Sequence, residues 1–209
     1  MKILLIGYGK VNKLIFENVK ESVVGIVDRN IEFINEIPDV IIDFSHPDFL
    51  NKTVEYAVKY NAKVVIGTTG YNEIKMAQIK DLSKITSVLK SENFSAGITL
   101  LKSILKTNKL SLDKYDKTIY ETHSTHKKDA PSGTAIALAD IIKTNNIISY
   151  RELNAVAKHM LVFENEDEKI TITHEALNRK LFMKKVIDSI SWLLKQESGF
   201  YTMEDVCNE

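Results

Sequence analysis

One cysteine, Cys207, is all the thiol chemistry that the 209-residue sequence carries. A single thiol excludes an intrachain disulfide and a thiolate metal cage, and it fits a reducing, cytoplasmic compartment. Neither charge is in excess: 28 Lys and Arg balance 28 Asp and Glu. No basic footprint therefore points to a nucleic acid or to an anionic membrane surface. No apolar run is long enough to span a bilayer; the first stops at Gly7 and lacks a signal-peptide cleavage region. Repeats and low-complexity segments are absent. Arginine is scarce, with only Arg29, Arg151 and Arg179 among the 28 cations. What remains is an ordinary globular balance, 44% hydrophobic and 27% charged. It is too apolar for disorder, and the chain is long enough for one large core or two small ones.

Short apolar runs punctuate the first half. Met1–Ile6, Val23–Val27, Val40–Phe44, Lys63–Ile66 and Ser87–Leu89 predict buried strands. Helical spacing predicts helices at Val11–Val19, from Pro47 to about Tyr60, and from about Asn72 to Leu82. Strand and helix in alternation mean an α/β fold with a parallel sheet covered on both faces. Four of the strands end in turn or polar residues: Gly7, Asp28, Asp43 with Ser45, and Gly67. In an open sheet of this kind, ligands sit outside the carboxyl ends of the strands. The expectation is a Rossmann-like dinucleotide-binding domain over residues 1–94.

The pattern changes after Ser91. A helix at Ala96–Thr107, a strand at Lys117–Thr122, a helix at Gly133–Lys143 and a hairpin of Ala155–Phe163 with Lys169–His174 predict a separate α+β domain over residues 95–179. The acidic stretch Glu164–Glu168 reads as the hairpin's solvated loop. Leu181–Leu194 predicts a final amphipathic helix, and residues 180–209 are expected to return to the first domain.

Gly7-Tyr8-Gly9-Lys10-Val11-Asn12 comes close to a dinucleotide fingerprint, with Asn12 where a third glycine is usual. The first glycine allows the tight turn, and the second lets backbone N–H groups approach a pyrophosphate at the helix start. Asn12 is expected to loosen helix–strand packing without removing the phosphate site. Asp28 ends the next strand 19 residues after Gly9, where a carboxylate can accept a ribose diol. Arg29 beside it can pair with a 2′-phosphate or lie on the surface, so NADH and NADPH both stay open.

The densest constellation is Glu121-Thr122-His123-Ser124-Thr125-His126-Lys127-Lys128-Asp129-Ala130-Pro131-Ser132-Gly133-Thr134-Ala135. A strand ends near a histidine, a lysine follows four residues later, and a Pro-Ser-Gly-Thr turn opens a helix. Helix-start N–H groups around Ser132, Gly133 and Thr134 suit a carboxylate. Lys127 adds a point cation, and His123 can act as an acid or base near neutral pH. Glu121, His123 and His126 are metal-ligand types, but no further ligand has diagnostic spacing, so no metal is expected.

This stretch resembles the signature of the 4-hydroxy-tetrahydrodipicolinate reductase (dihydrodipicolinate reductase) family, roughly E-x-H-H-x-x-K-x-D-A-P-S-G-T-A. Asp43-Phe44-Ser45-His46-Pro47, Gly67-Thr68-Thr69-Gly70 and Ser91-Glu92-Asn93-Phe94-Ser95 resemble further family elements in the same order. Arg151 and His159 keep a family spacing, as do Ile172-Thr173-His174 and Gly199-Phe200-Tyr201. The resemblance implies NADH- or NADPH-dependent reduction of a small cyclic dicarboxylate on the diaminopimelate route to lysine. It implies catalytic roles for His123 as acid/base and Lys127 as proton donor. Ser124, Lys127, Ser132, Gly133 and Thr134 would then bind substrate. Gly7, Tyr8, Gly9, Lys10, Val11, Asp28 and Arg29 would hold the dinucleotide. Gly67, Thr68, Thr69, Ser91, Glu92, Asn93 and Phe94 would line the nicotinamide pocket. Domain closure and a homotetramer built through the second domain are implied as well.

Departures from the pattern are specific. Ser124 replaces the family's second histidine, while Leu153 and Ala157 replace glycines that favour positive-φ turns. The chain is also shorter than most members, and the loss falls between the helix after Thr134 and Arg151. Two other readings therefore stand beside the reductase: a weakly active nucleotide-binding homologue with a regulatory or structural role, and another nicotinamide-dependent oxidoreductase of the same plan. Apart from the resemblance, His46, His159 and His174 read as ordinary polar residues near strand ends.

Overall fold

The computed structural model describes residues 1–178 and 180–208; Arg179 and Glu209 lie outside the described residues. The chain divides into two compact units. One comprises Met1–Phe94 and the segment from Phe182 onward, and the other Ser95–Leu181.

The first unit begins with β1 (Ile3–Ile6), α1 (Lys10–Val19), β2 (Val23–Asp28), β3 (Ile31–Ile34) and β4 (Val40–Asp43). It continues through α2 (Leu50–Tyr60), β5 (Lys63–Ile66), α3 (Glu73–Ser83) and β6 (Ser87–Lys90). The second unit holds α4 (Ala96–Thr107), α5 (Lys109–Leu112), β7 (Asp116–Ser124) and α6 (Gly133–Ile142). It ends with β8 (Ile147–Glu152), β9 (Ala157–Glu164) and β10 (Lys169–Ala176). From α7 (Lys180–Leu193) the chain returns to the first unit and adds β11 (Gly199–Tyr201) and α8 (Met203–Cys207).

The large sheet runs β11-β6-β5-β4-β1-β2-β3. Every pairing is parallel except β2 with β3, which is antiparallel. The sheet is therefore mixed at one edge rather than wholly parallel, because β3 turns straight back beside β2. Successive side chains of β1 feed opposite faces, as the two-residue strand period requires. Ile3 and Leu5 pack with Ile15 of α1, Val186 and Ile190 of α7, and Met203 of α8. Leu4 and Ile6 meet Leu50 and Ala57 of α2 and Ile79 and Leu82 of α3. Burying each such side chain is worth roughly 1.5–3 kcal/mol. Strand order reverses at β1, which has β2 on one side and β4 on the other. That reversal opens a crevice at the carboxyl ends, between the turn after β1 and the turn after β4.

The small sheet runs β10-β9-β7-β8. β9 and β10 form the expected hairpin, and Asn165 closes its loop by accepting from the backbone of Asp167 and Glu168. β8 lies parallel to β7, reached through α6. Ile119, Leu161 and Phe163 pack against Ile98, Leu101 and Leu105 of α4 and Leu138 and Ile142 of α6. Glu121 and His123 share the strand face of Ile119, so the period of β7 carries them onto this covered side.

Residues 31–34 and 147–152, where the sequence predicts no element, are strands. The helix at Leu181–Leu194 is followed by β11 and α8 and so is not the last. No helix among the described residues is long and apolar enough to cross a membrane.

Leu5 is fully buried at the centre of the first core. Leu5→Ala is expected to lower the unfolding free energy by about 2–5 kcal/mol in urea titrations. A loss below about 1 kcal/mol would contradict the packing described.

Candidate active site

Two buried carboxylates organise the polar ends of the strands. Asp43 closes β4 with no exposure to solvent. Its oxygens accept from the hydroxyls of Ser45, Thr68 (2.7 Å) and Thr53 (2.7 Å), and Ser45 N–H also donates to it at 3.1 Å. This network pins the Asp43–Pro47 turn to the Gly67–Gly70 loop. Gly67 is required there: a Cβ would come within 2.0 Å of the Phe44 ring. Phe44 in turn tilts against Phe94, centroids 5.5 Å apart, and Phe94 is core rather than surface. Ser91 Oγ donates to Asn93 O at 2.8 Å and accepts from Asn93 N at 3.2 Å, shaping the following turn. Thr69 and Glu92 are exposed at these loops, whereas Thr68 is buried on Asp43.

The turn after β1 has the geometry that a pyrophosphate requires. Gly7 adopts φ +82°, and a Cβ there would strike Phe44 O at 2.8 Å. Gly9 precedes α1 without a side-chain cap, the first turn has no acid, and nothing lies within 4 Å of the position a Gly9 Cβ would take. The N–H groups at the start of α1 thus face open space with a favourable dipole. Tyr8 is half-buried, Lys10 exposed and Val11 half-buried around this helix start. Asn12 does more than replace a glycine. It is fully buried, and its amide donates to Ile6 O (2.8 Å) and Gly7 O (2.7 Å), locking the turn. Asp28 accepts from Tyr8 N (3.0 Å) and Arg29 N (2.8 Å), which orients its carboxylate while leaving lone pairs for a diol. The Arg29 residue is exposed beside it. These residues fit a dinucleotide.

Glu121 is the second buried carboxylate, again with no exposure. It meets His123 Nδ1 through one oxygen and Arg151 through the other, at 2.9 Å. Arg151 is placed by β8, directly opposite His123 in the parallel register. Burial would raise the Glu121 carboxyl, but hydrogen bonds from Ser149, Arg151 and His123 outweigh it and keep the group ionised. Burial lowers His123, and Glu121 opposes that shift. Ser124 is buried too: its Oγ accepts from His126 N at 3.3 Å, and its carbonyl accepts from Lys127 N at 2.9 Å. That turn presents Lys127, which pairs with Asp129 at 2.8 Å. His126 is exposed.

Ser132 caps α6, its Oγ accepting from Ala135 N at 3.2 Å and touching His159 Nε2 at 3.3 Å. Gly133 is exposed, with nothing within 4 Å of where a Cβ would be. His123, His159 and His174 form a line across β7, β9 and β10, with centroids 5.2 and 6.4 Å apart. His174 meets Ser95 Oγ at 3.2 Å. Burial, aided by its histidine neighbours, pushes His159 down to about 3, so it is neutral, and its Nδ1 has no partner among the described residues. Donor atoms of Glu121, His123 and His159 lie within 4.8 Å of one another. The Glu121 oxygens already serve His123 and a guanidinium, an arrangement that favours a hydrogen-bonded chain over a bound cation.

Residue type and spacing single out His123, Lys127 and the Ser132–Thr134 turn. They give no catalytic part to Glu121, which meets Arg151 through tertiary pairing. The available signal was strand alternation, which puts Glu121 on the face of His123.

Known proteins give a consistent comparison. A family model described as dihydrodipicolinate reductase, N-terminus, matches residues 1–94, and one described as dihydrodipicolinate reductase, C-terminus, matches residues 97–207. A 4-hydroxy-tetrahydrodipicolinate reductase of Thermosipho africanus is 37% identical, covering 100% of this chain and 99% of its own. One of Rickettsia bellii is also 37% identical, over 91% of this chain and 85% of its own. The solved dipicolinate-bound dihydrodipicolinate reductase from Paenisporosarcina sp. TG-14 shares the fold, with a TM-score of 0.76 at 23% identity over 99% of both chains. Matching coverage in the Thermosipho protein means that the short form is not peculiar to this chain.

His159 also makes a stability prediction. Its folded value lies near 3 against an ordinary 6.5, so between those values the unfolded chain binds a proton that the folded chain does not. Stability present above pH 6.5 should therefore fall on acidification, by at most about 1.4 kcal/mol per pH unit for this group. Urea titrations from neutral to acidic pH should show a shallower dependence for His159→Asn than for the parent; equal slopes would contradict the assignment.

Proposed function

Because the chain belongs to the dihydrodipicolinate reductase family, we propose that it catalyses NAD(P)H-dependent reduction of 4-hydroxy-tetrahydrodipicolinate (dihydrodipicolinate) to tetrahydrodipicolinate. This is a step of the diaminopimelate route to lysine, and the protein is an oxidoreductase acting in the cytoplasm. The observation that carries the reading is the clustering in one unit of His123, its buried Glu121 partner, the Lys127 turn and the open helix start at Ser132–Gly133.

The first unit holds the dinucleotide. Backbone N–H groups from Gly7 to Val11 take the pyrophosphate, and Asp28 takes the adenosine ribose. Gly67, Thr68, Thr69 and the Ser91–Phe94 turn shape the nicotinamide side, with Phe94 acting from beneath. When bound, a reduced nicotinamide supplies hydride. The second unit holds the dicarboxylate: Ser132, Gly133 and Thr134 offer helix-start donors to one carboxylate, and Lys127 adds a cation. Ser124 acts through the turn it braces. Loss of water from the 4-hydroxy compound gives an unsaturated ring conjugated with its imine, and hydride arriving there leaves electron density that must be protonated. His123 gives that proton, with Lys127 as the second donor. Burial of His123 limits competition from bulk water.

A homotetramer is part of the same proposal. The sheet face opposite the helices exposes Ile148 and Tyr150, with Leu153 exposed in the turn that follows β8, an apolar surface suited to self-association. The balanced charge offers nothing to nucleic acid.

Freshly made aldol-condensation product with NADH or NADPH should give cofactor oxidation; its absence, with dinucleotide binding intact, overturns the reductase. His123→Gln should lower kcat by about 10²–10⁴-fold, and an unchanged kcat would remove its role. Arg29→Ala should weaken NADPH by about tenfold or more while sparing NADH. Equal losses for both would exclude a phosphate contact.

A further inference from the structure

We propose that Glu121, clamped by Arg151, is a positioning residue that holds His123 as its Nδ1–H tautomer, directs Nε2 to the substrate, and stabilises the imidazolium relative to the neutral ring. This rests on the reading of His123 as the proton donor and deepens it. The two side chains are neighbours on one face of β7, and Glu121 has no exposure to solvent. An ionised carboxylate only accepts, so the His123 Nδ1 that meets it must carry the hydrogen. Neutral His123 then has its lone pair at Nε2, and protonation places the transferable proton there.

The clamp is built from both sides. Arg151 donates to Glu121 at 2.9 Å, to the carbonyl of Tyr150 at 2.6 Å, and through its other nitrogen to the carbonyl of Asp129 at 2.6 Å. It therefore ties the carboxylate to β8 and to the loop that carries Lys127. Ser149, opposite Glu121 in the register, gives a further hydrogen bond. With its oxygens engaged in this way, Glu121 cannot rotate away from the imidazole without also breaking its ion pair with Arg151.

The charges facing His123 pull in opposite directions. Burial lowers its proton affinity, Glu121 raises it, and Lys127 from the following loop and Arg151 from β8 lower it. His159 on β9 packs edge-on against the ring but is neutral, with His174 of β10 beyond it and its side chain on Ser95. Asp129 is neutralised by Lys127. Glu121 is thus the one anion in direct contact with the imidazole among the described residues.

The two members of the clamp should consequently shift the titration in opposite senses. Glu121→Gln should move the limb of the kcat profile that reports protonated His123 to lower pH by about one unit or more. It should lower kcat at neutral pH, recover much of it on acidification, and leave KM for both substrates little changed. Arg151→Met should move the same limb to higher pH. Nitrogen-15 imidazole shifts would read His123 independently of turnover: Nδ1-protonated when neutral in the parent, and a tautomer mixture of lower pKa in Glu121→Gln. An unmoved His123 pKa and tautomer in Glu121→Gln overturns the proposal. A moved pKa with an unmoved kcat limb overturns the proton-donor reading and leaves the hold on the ring standing. If Glu121→Gln does not fold, the direction of the Arg151→Met shift decides: an acid shift or none overturns the clamp.

Discussion

A carboxylate sealed from water must be met by donors, and each unit of this protein is arranged around one such group. Asp43 in the first unit gathers three hydroxyls and a backbone N–H, and Glu121 in the second gathers an imidazole and a guanidinium. Neither demand can be met from its own strand alone. Asp43 recruits α2 through Thr53 and the loop after β5 through Thr68, so satisfying it fixes the relative position of two loops. Glu121 recruits β8 through Arg151, so satisfying it fixes the side chain next to it. Desolvation that would penalise the fold is converted into placement of the groups that the chemistry needs.

The glycine-rich turn depends on the same economy of buried polar atoms. Asn12 fills the space of a third fingerprint glycine and spends its amide hydrogens on Ile6 O and Gly7 O. These carbonyls lie at the end of β1, just where the chain leaves the ladder. Helix-to-strand spacing is thus maintained by a pair of hydrogen bonds rather than by the absence of a side chain. The helix start is left without a side-chain cap.

Much of the fold was legible because five apolar runs cannot be anything but buried strands at their lengths, and the helices between them carry clear periodicity. The strands that were not read share a property. β3 is largely exposed, β8 alternates half-buried and exposed, and β11 is three residues long. Edge strands bury little, so their sequences carry little hydrophobic signal, and long-range pairing creates them. The site divides in the same way. Gly7, Asp28, His123, Lys127 and Ser132 stand at strand or helix ends, where residue type announces chemistry. Glu121 lies inside a strand, and its partner Arg151 is brought to it by the β7–β8 register. Spacing along the chain does not encode that meeting.

The α6 crossover has one more consequence. Between the end of α6 and the start of β8 the chain is anchored by Thr144 Oγ1 on Lys117 O and Asn146 Nδ2 on Thr118 Oγ1. Both anchors are at the opening of β7, and six residues of strand, about 20 Å at the usual rise, separate Lys117 from His123. Added or deleted residues at Lys143–Asn146 would therefore be absorbed at the far margin of the sheet. Length can drift there through evolution, or by design, while the His123 end keeps its spacing. The linker is a natural splice point.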